Sequence, residues 1–145
     1  MKAPDHHLPD HPACAMSVSL PASAEAALAG PGIATLTTLR PDRSPHVVPV
    51  RFTWDRAAGL ARVMTIGSRQ KARNLIENPG SRAALCQVTG SRWITLEGPA
   101  RVTGDPRRVA EGVRRYSRRY SSAPPDPPGL VVIEMDVDRA MSLGY

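Results

Sequence analysis

Aromatic residues are scarce in this chain. Phe, Trp and Tyr make up 4% of its 145 residues, and only one is Phe. A core therefore has to come from Val, Ile, Leu and Ala, and Val and Ile favour strands. Cysteine is nearly absent. Cys14 and Cys86 form no CxxC pair and no disulfide framework, which fits a reduced, cytoplasmic setting. No apolar run approaches the ~18–20 residues that span a bilayer. The segment Met1–Ala15 has no apolar stretch of the signal-peptide kind. Lysine is rare too: only Lys2 and Lys71 stand among 19 basic residues. The rest are Arg, an Arg-for-Lys bias that, with abundant Ala, reads as compositional drift and sets Lys71 apart. There is no GxGxxG and no GxxxxGK[ST], which excludes the common dinucleotide and P-loop signatures. No Ser/His/Asp arrangement and no carboxylate pair stands out.

What is present is a basic chain, with a formal charge of +6 and an anionic partner implied. Its length suits one domain. Residues 1–20 read as a flexible tail, where His6, His7 and His11 lack the Cys or carboxylate spacing of a metal site. Residues 21–145 read as the folded domain. A helix is expected over Pro21–Ala29, stopped by Gly30-Pro31-Gly32, and strands over Ile33–Leu39 and His46–Trp54. Pro49 inside the second implies a bulge or an edge. Strands follow over Leu60–Ile66, Arg82–Val88, Trp93–Val102 (interrupted at Gly98-Pro99) and Leu130–Val137. Helices are expected over Arg69–Glu77, with Ser68 as cap, and over Asp105–Tyr120, with Asp105 as cap and Pro106 in first position. Ser121–Pro128 reads as a Pro-rich linker. Hairpin connections without βαβ alternation argue for a mainly β fold, a six-stranded antiparallel barrel with two or three peripheral helices.

The most specific local signal is Thr65–Asn74, TIGSRQKARN. A strand ends, glycine permits a sharp turn, and a helix begins with Arg69 and Lys71 in its first turn. A helix N-terminus carries free N–H groups and the positive end of the dipole. Two cations there oppose helix stability by a few tenths of a kcal/mol each, and a bound phosphate would reverse that sign. Asn74 faces the same side. A solvated basic helix start fits the same spacing. His46, the only His beyond the tail, suits a core or surface role better than that of a general base. The arginines of the second long helix (Arg107, Arg108, Arg114, Arg115, Arg118, Arg119) read as a solvated face rather than a nucleic-acid surface, since Tyr116 and Tyr120 fall on its apolar side. With no catalytic constellation of its own, the chain suits a bound cofactor that brings the chemistry.

Three runs carry a resemblance: LTTLRPDRSPHVVPVRFTWD, ARVMTIGSRQKARN and QVTGSRWITLEGPARV. Together they resemble the pyridoxamine-phosphate-oxidase-like split barrels, and within them the actinobacterial reductases that use the deazaflavin coenzyme F420, the biliverdin-reductase group in particular. RRYSRRY, the Pro-rich linker and VVIEMDV extend the likeness, which covers roughly residues 33–139. The resemblance implies a homodimer with cofactor sites at the interface. It implies that backbone atoms of Val48, Pro49 and Val50 line the deazaflavin ring, that Met64, Thr65, Ile66 and Gly67 follow the ring and ribityl chain, and that Arg69, Lys71 and Asn74 hold the phosphate. Gln87 and Trp93 would approach from the partner, and Arg40 near the mouth would orient an anionic substrate. The expected reaction is hydride transfer from reduced coenzyme F420 to a conjugated acceptor such as biliverdin. An FMN-binding oxidase or flavin reductase and a non-catalytic carrier of coenzyme or pigment are the rival readings. The sequence departs from the B6 oxidases in ending at Tyr145, without their C-terminal segment. It departs from the deazaflavin group at Arg51, where a smaller residue is expected.

Overall fold

Strand-forming runs alternate here with tight turns, and the backbone groups of one short junction are claimed by a helix instead of a ladder. The computed structural model describes residues 18–145, so most of the expected tail, including His6, His7, His11 and Cys14, lies outside the described residues. Helix α1 (Ala22–Ala29) precedes β1 (Ala34–Leu39), β2 (Pro45–Val50), β3 (Thr53–Asp55) and β4 (Leu60–Ile66). Then come α2 (Gln70–Glu77), β5 (Arg82–Thr89), β6 (Arg92–Thr103), α3 (Pro106–Tyr120), β7 (Leu130–Asp136) and β8 (Arg139–Leu143). All ladders are antiparallel, in the order β2-β1-β5-β6-β7-β4-β3, with β8 added on β6. The ends of this path, β2 and β3, do not pair, so the barrel is split. The mainly β class is as expected. None of these helices is long and apolar enough to cross a membrane.

Eight strands are present where six were expected, and both additions have local causes. The expected strand His46–Trp54 divides into β2 and β3 at Arg51-Phe52. There the Phe52 N–H donates to the Tyr120 hydroxyl (3.1 Å), and the Phe52 carbonyl accepts from Arg119 Nη1 (2.7 Å). Helix α3 thus satisfies the groups a ladder would have used. The strand β8 is an edge strand with alternating exposure, although its run Arg-Ala-Met-Ser-Leu carries no strict polar–apolar alternation to announce it. Pro49 sits on β2, the edge of the sheet, where a missing N–H is tolerated.

The expected interruption at Gly98-Pro99 does not occur. Instead β6 runs through and changes partners. Arg92–Pro99 pair with β5, Trp93–Glu97 with β8 on the other edge, and Ala100–Thr103 with β7. A Cβ at Gly98 would overlap the Asp136 carbonyl. Glycine is required there because the chain leaving β7 crosses tightly against Gly98, at the Asp136 carbonyl, as it bends into β8.

The core is aliphatic, as the composition requires: Leu36, Leu85, Ile94, Leu96, Ile133 and Met135 are buried with Phe52, the lone Phe. Leu75 of α2 and Ala24 and Leu28 of α1 close its ends. Helix α3 is capped as expected, the Asp105 carboxylate accepting from Arg107 N–H (2.9 Å) with Pro106 in first position. Its arginines, however, do not all form a solvated face. Arg119 is buried, and Arg108 and Arg115 reach the acids Glu134 (2.8 Å) and Asp55 (3.0 Å) beneath the helix.

Two substitutions test this account by urea unfolding. Gly98→Ala should lower stability by about 3 kcal/mol, since the clash is with backbone that cannot swing away. Arg119→Met should cost about 2–4 kcal/mol by leaving buried carbonyls without donors. A midpoint unchanged in either variant would contradict the crossing or the clamp, respectively.

Candidate functional site

The C-terminal ends of β2 and β4 open onto one cleft of about 280 Å³. Pro49 and Val50 from β2, and Met64, Thr65 and Ile66 from β4, form its floor. Arg69 and Lys71, at the start of α2, form one end. Arg51 and Tyr116 stand on the α3 side, and Pro124, Pro125, Pro127 and Leu130 make the remaining wall. Met64 can lie flat under α3 because Gly112 faces it, where a Cβ would press on the Met64 sulfur. The segment expected to be a linker is therefore part of the site.

The α2 end is electropositive by construction. The helix begins at Gln70 with Arg69 as its cap residue, and no side chain bonds the free N–H groups. Ser68, expected as cap, falls one residue too early and lies in the turn. There is no acid in the first turn, and among the described residues neither Arg69 nor Lys71 pairs with a carboxylate. Burial, and secondarily the Arg69 charge, hold the Lys71 ammonium below its ordinary pKa. Burial first, then Arg40 and Lys71, likewise push His46 down, so it is neutral at physiological pH. The lining contains no Asp, Glu, His, Cys or Ser. An apolar floor ending in two cations and open N–H groups suits a planar molecule with an anionic tail, and offers no carboxylate, imidazole or thiol of its own.

Seven residues expected at the site come together here: Pro49, Val50, Met64, Thr65, Ile66, Arg69 and Lys71. Two of the others adjoin lining residues, Val48 beside Pro49 and Gly67 beside Ile66, and the rest lie elsewhere. Val48 packs against the core, and Gly67 joins the turn by donating its N–H to Gly129 O (3.1 Å). Asn74 is buried, its Nδ2 donating to Thr38 Oγ1 (3.0 Å) and its Oδ1 accepting from Gln70 (2.6 Å), so its amide fastens α2 to β1. Gln87 is also buried. It donates to Ala27 O (3.3 Å) and accepts from Arg119 Nη2 (2.7 Å), which commits both ends of its amide within this chain. Trp93 is half-buried on the outer face of β6, opposite Val88 and Leu143. Arg40 is at the β1–β2 hairpin, donating to Pro45 O (2.6 Å) in its own turn, and does not line the cleft. Residues not foreseen as lining are Tyr116, Leu130 and the three prolines. Only the proximity of the Pro-rich run to RRYSRRY in sequence hinted at them.

A model of the pyridoxamine 5′-phosphate oxidase family matches residues 20–143. The F420H(2)-dependent biliverdin reductase of Mycobacterium tuberculosis is 46% identical over 109 residues, covering 75% of this chain and 77% of that protein. Among solved structures, an F420 reductase superposes with a TM-score of 0.66 at 25% identity, over 84% of this chain and 98% of the other. A conserved hypothetical protein from Mycobacterium tuberculosis superposes with a TM-score of 0.70 at 20% identity, over 87% and 86% of the two chains, and supports the fold alone.

The electropositive end makes a prediction of its own. Inorganic phosphate should raise the unfolding temperature of the wild type, and Lys71→Gln should abolish most of that gain. Without phosphate, the same variant should unfold at the wild-type temperature or slightly above it, because a like-charge neighbour has gone. Equal stabilisation of both proteins by phosphate would remove Lys71 from the site.

Proposed function

Because the chain belongs to the pyridoxamine 5′-phosphate oxidase family, we propose that it is an oxidoreductase that binds coenzyme F420 and reduces a conjugated organic acceptor, with biliverdin as the candidate substrate. The observation that carries this is the cleft itself: an apolar floor ending in paired cations and unbonded helix N–H groups, without a carboxylate, imidazole or thiol. The 46% identity to a protein named F420H(2)-dependent biliverdin reductase supports the choice of coenzyme and acceptor.

The residues fit such a coenzyme. Arg69, Lys71 and the first N–H groups of α2 hold its phosphate. Pro49, Val50, Met64, Thr65 and Ile66 hold the ring on the floor. When bound in its reduced form, the coenzyme supplies the hydride. Met64, Ile66, Leu130 and the prolines exclude water from that face, which strengthens the electrostatics of the site. Asn74 acts through α2, keeping the helix start against β1, and not by touching phosphate.

Dimerisation is part of this reading. The cleft is open on one side, and about 280 Å³ is small for a complete coenzyme and an acceptor. The ladder register places Val47, Val88, Met141 and Leu143 on the same outer face of the β2-β1-β5-β6-β8 sheet, around the half-buried Trp93. All four are exposed. Such a face suits a second copy that brings Trp93 toward the neighbouring cleft. Gln87, committed to Arg119, contributes to the site through the fold.

Fluorescence titration with oxidised coenzyme F420 and with FMN tests the assignment. Micromolar binding of F420, at least about tenfold weaker binding of FMN, and a loss of about tenfold or more in Lys71→Ala are expected. Preference for FMN would move the function to flavin chemistry, and binding of neither would overturn it.

A further inference from the structure

Beyond the phosphate end, one cation of the cleft has no assigned role. Arg51 lines the wall opposite the floor, contributed by the β2–β3 junction and facing α3 rather than α2. Its Nη1 donates to the Tyr116 hydroxyl at 3.0 Å. Its guanidinium carbon lies 4.9 Å from the centre of the Tyr120 ring and 5.9 Å from that of Tyr116. The two rings are themselves in contact, 4.9 Å apart and tilted.

This is a held guanidinium without an acid. On the α3 side, Arg108, Arg114 and Arg115 each pair with a carboxylate, whereas Arg51 pairs with none among the described residues. A solvated surface Arg has no fixed orientation. Arg51 is exposed, yet its guanidinium is placed, because two tyrosine rings stand beside it and because the next residue, Phe52, is clamped through both of its backbone groups by Arg119 and Tyr120. A guanidinium has five N–H groups, and a single one is used here. The remaining donors keep the fork geometry that takes a carboxylate with two hydrogen bonds.

We propose that Arg51 is the specificity residue of the cleft and recognises a carboxylate of the acceptor molecule. The proposal rests on the coenzyme-dependent reduction argued above. The acceptor is favoured over the coenzyme as the source of that carboxylate because the groups that take the coenzyme's anionic end, Arg69, Lys71 and α2, stand on another element than Arg51. Arg51 orients the carboxylate and does not donate a proton, because a guanidinium keeps its protons in proteins. Tyr116, whose hydroxyl accepts from Arg51, positions it. The sequence expected this anion-orienting task of Arg40; the geometry points to Arg51.

The test measures binding of biliverdin and of its dimethyl ester to the protein saturated with oxidised coenzyme F420, so that no turnover intervenes. Wild type should prefer the acid by about tenfold or more, the effect of one charge-assisted pair. Arg51→Gln should bring that ratio near one while leaving the ester's Kd and the F420 affinity within about twofold. Arg51→Lys should keep part of the preference, since it retains charge but not the fork. Tyr116→Phe should reduce the preference by loosening the guanidinium. A preference preserved in Arg51→Gln, or absent in wild type, overturns the proposal. A loss of F420 affinity in Arg51→Gln with the acid preference intact overturns it too, and gives the charge to the coenzyme's own carboxylates. Failure of wild type to bind F420 at all would instead overturn the reading of the preceding subsection. Urea midpoints of the variants separate these outcomes from misfolding, and if Arg51→Gln does not fold, Arg51→Lys carries the comparison.

Discussion

A buried guanidinium holds this structure in register. Arg119 donates to Gly30 O (2.9 Å), Phe52 O (2.7 Å) and Gln87 Oε1 (2.7 Å), and packs 4.6 Å above the Phe52 ring. No carboxylate neutralises it among the described residues, and burial lowers its pKa. Arginine's ordinary value lies so far above physiological pH that it stays charged all the same. Such a charge is tolerable only when its hydrogen-bonding groups are met by well-placed acceptors. That demand fixes four parts of the chain together: the α1–β1 connection, the β2–β3 junction, β5 and the end of α3. Tyr120 completes the clamp by accepting from Phe52 N–H and giving its proton to Gly32 O (2.7 Å).

The cleft follows from that clamp. Ending β2 at Val50 turns Arg51 toward the α3 wall while Phe52 goes into the core. The same helix is drawn onto the sheet by a second buried set of charges, in which Asp55, Arg62 and Glu134 lie between β3, β4 and β7, with Arg108 and Arg115 reaching down from above. Breaking such a set by removing one member leaves an uncompensated charge. It therefore fixes the height of α3 over Met64, and with it the depth of the site. Glycines make the close approaches feasible. Gly112 lets Met64 lie under the helix, and Gly98 lets the end of β7 pass close against β6.

The division of labour within the cleft is electrostatic. One end gathers cations and helix N–H groups that repel each other until an anion arrives. The α3 wall offers a single supported guanidinium. Between them the surface is apolar and carries only the hydroxyls of Thr65 and Tyr116. A site of this kind binds, orients and dries its contents, and leaves the electron chemistry to what it binds.

Much of this was legible in the sequence. Alternating β-branched runs gave the strands, Asp105-Pro106 gave the start of α3, and the strand–turn–helix pattern of TIGSRQK placed Arg69 and Lys71 where the cleft has its cations. These are local properties, governed by side-chain period and helix-end chemistry within a few residues. Tertiary structure alone decided the rest. Asn74 and Gln87 carry amides that suit a ligand, yet Thr38, Gln70, Ala27 and Arg119 claim them inside the fold. The helical spacing that counted Arg119 among solvated charges could not register the three acceptors that reach it from residues 30, 52 and 87. Gly98-Pro99 looked like a break because it is one in most strands, and here it marks a change of ladder partner. Sequence spacing determines which face of an element a residue occupies. What meets that face depends on contacts dozens of residues apart, and for buried polar groups those contacts decide between structure and function.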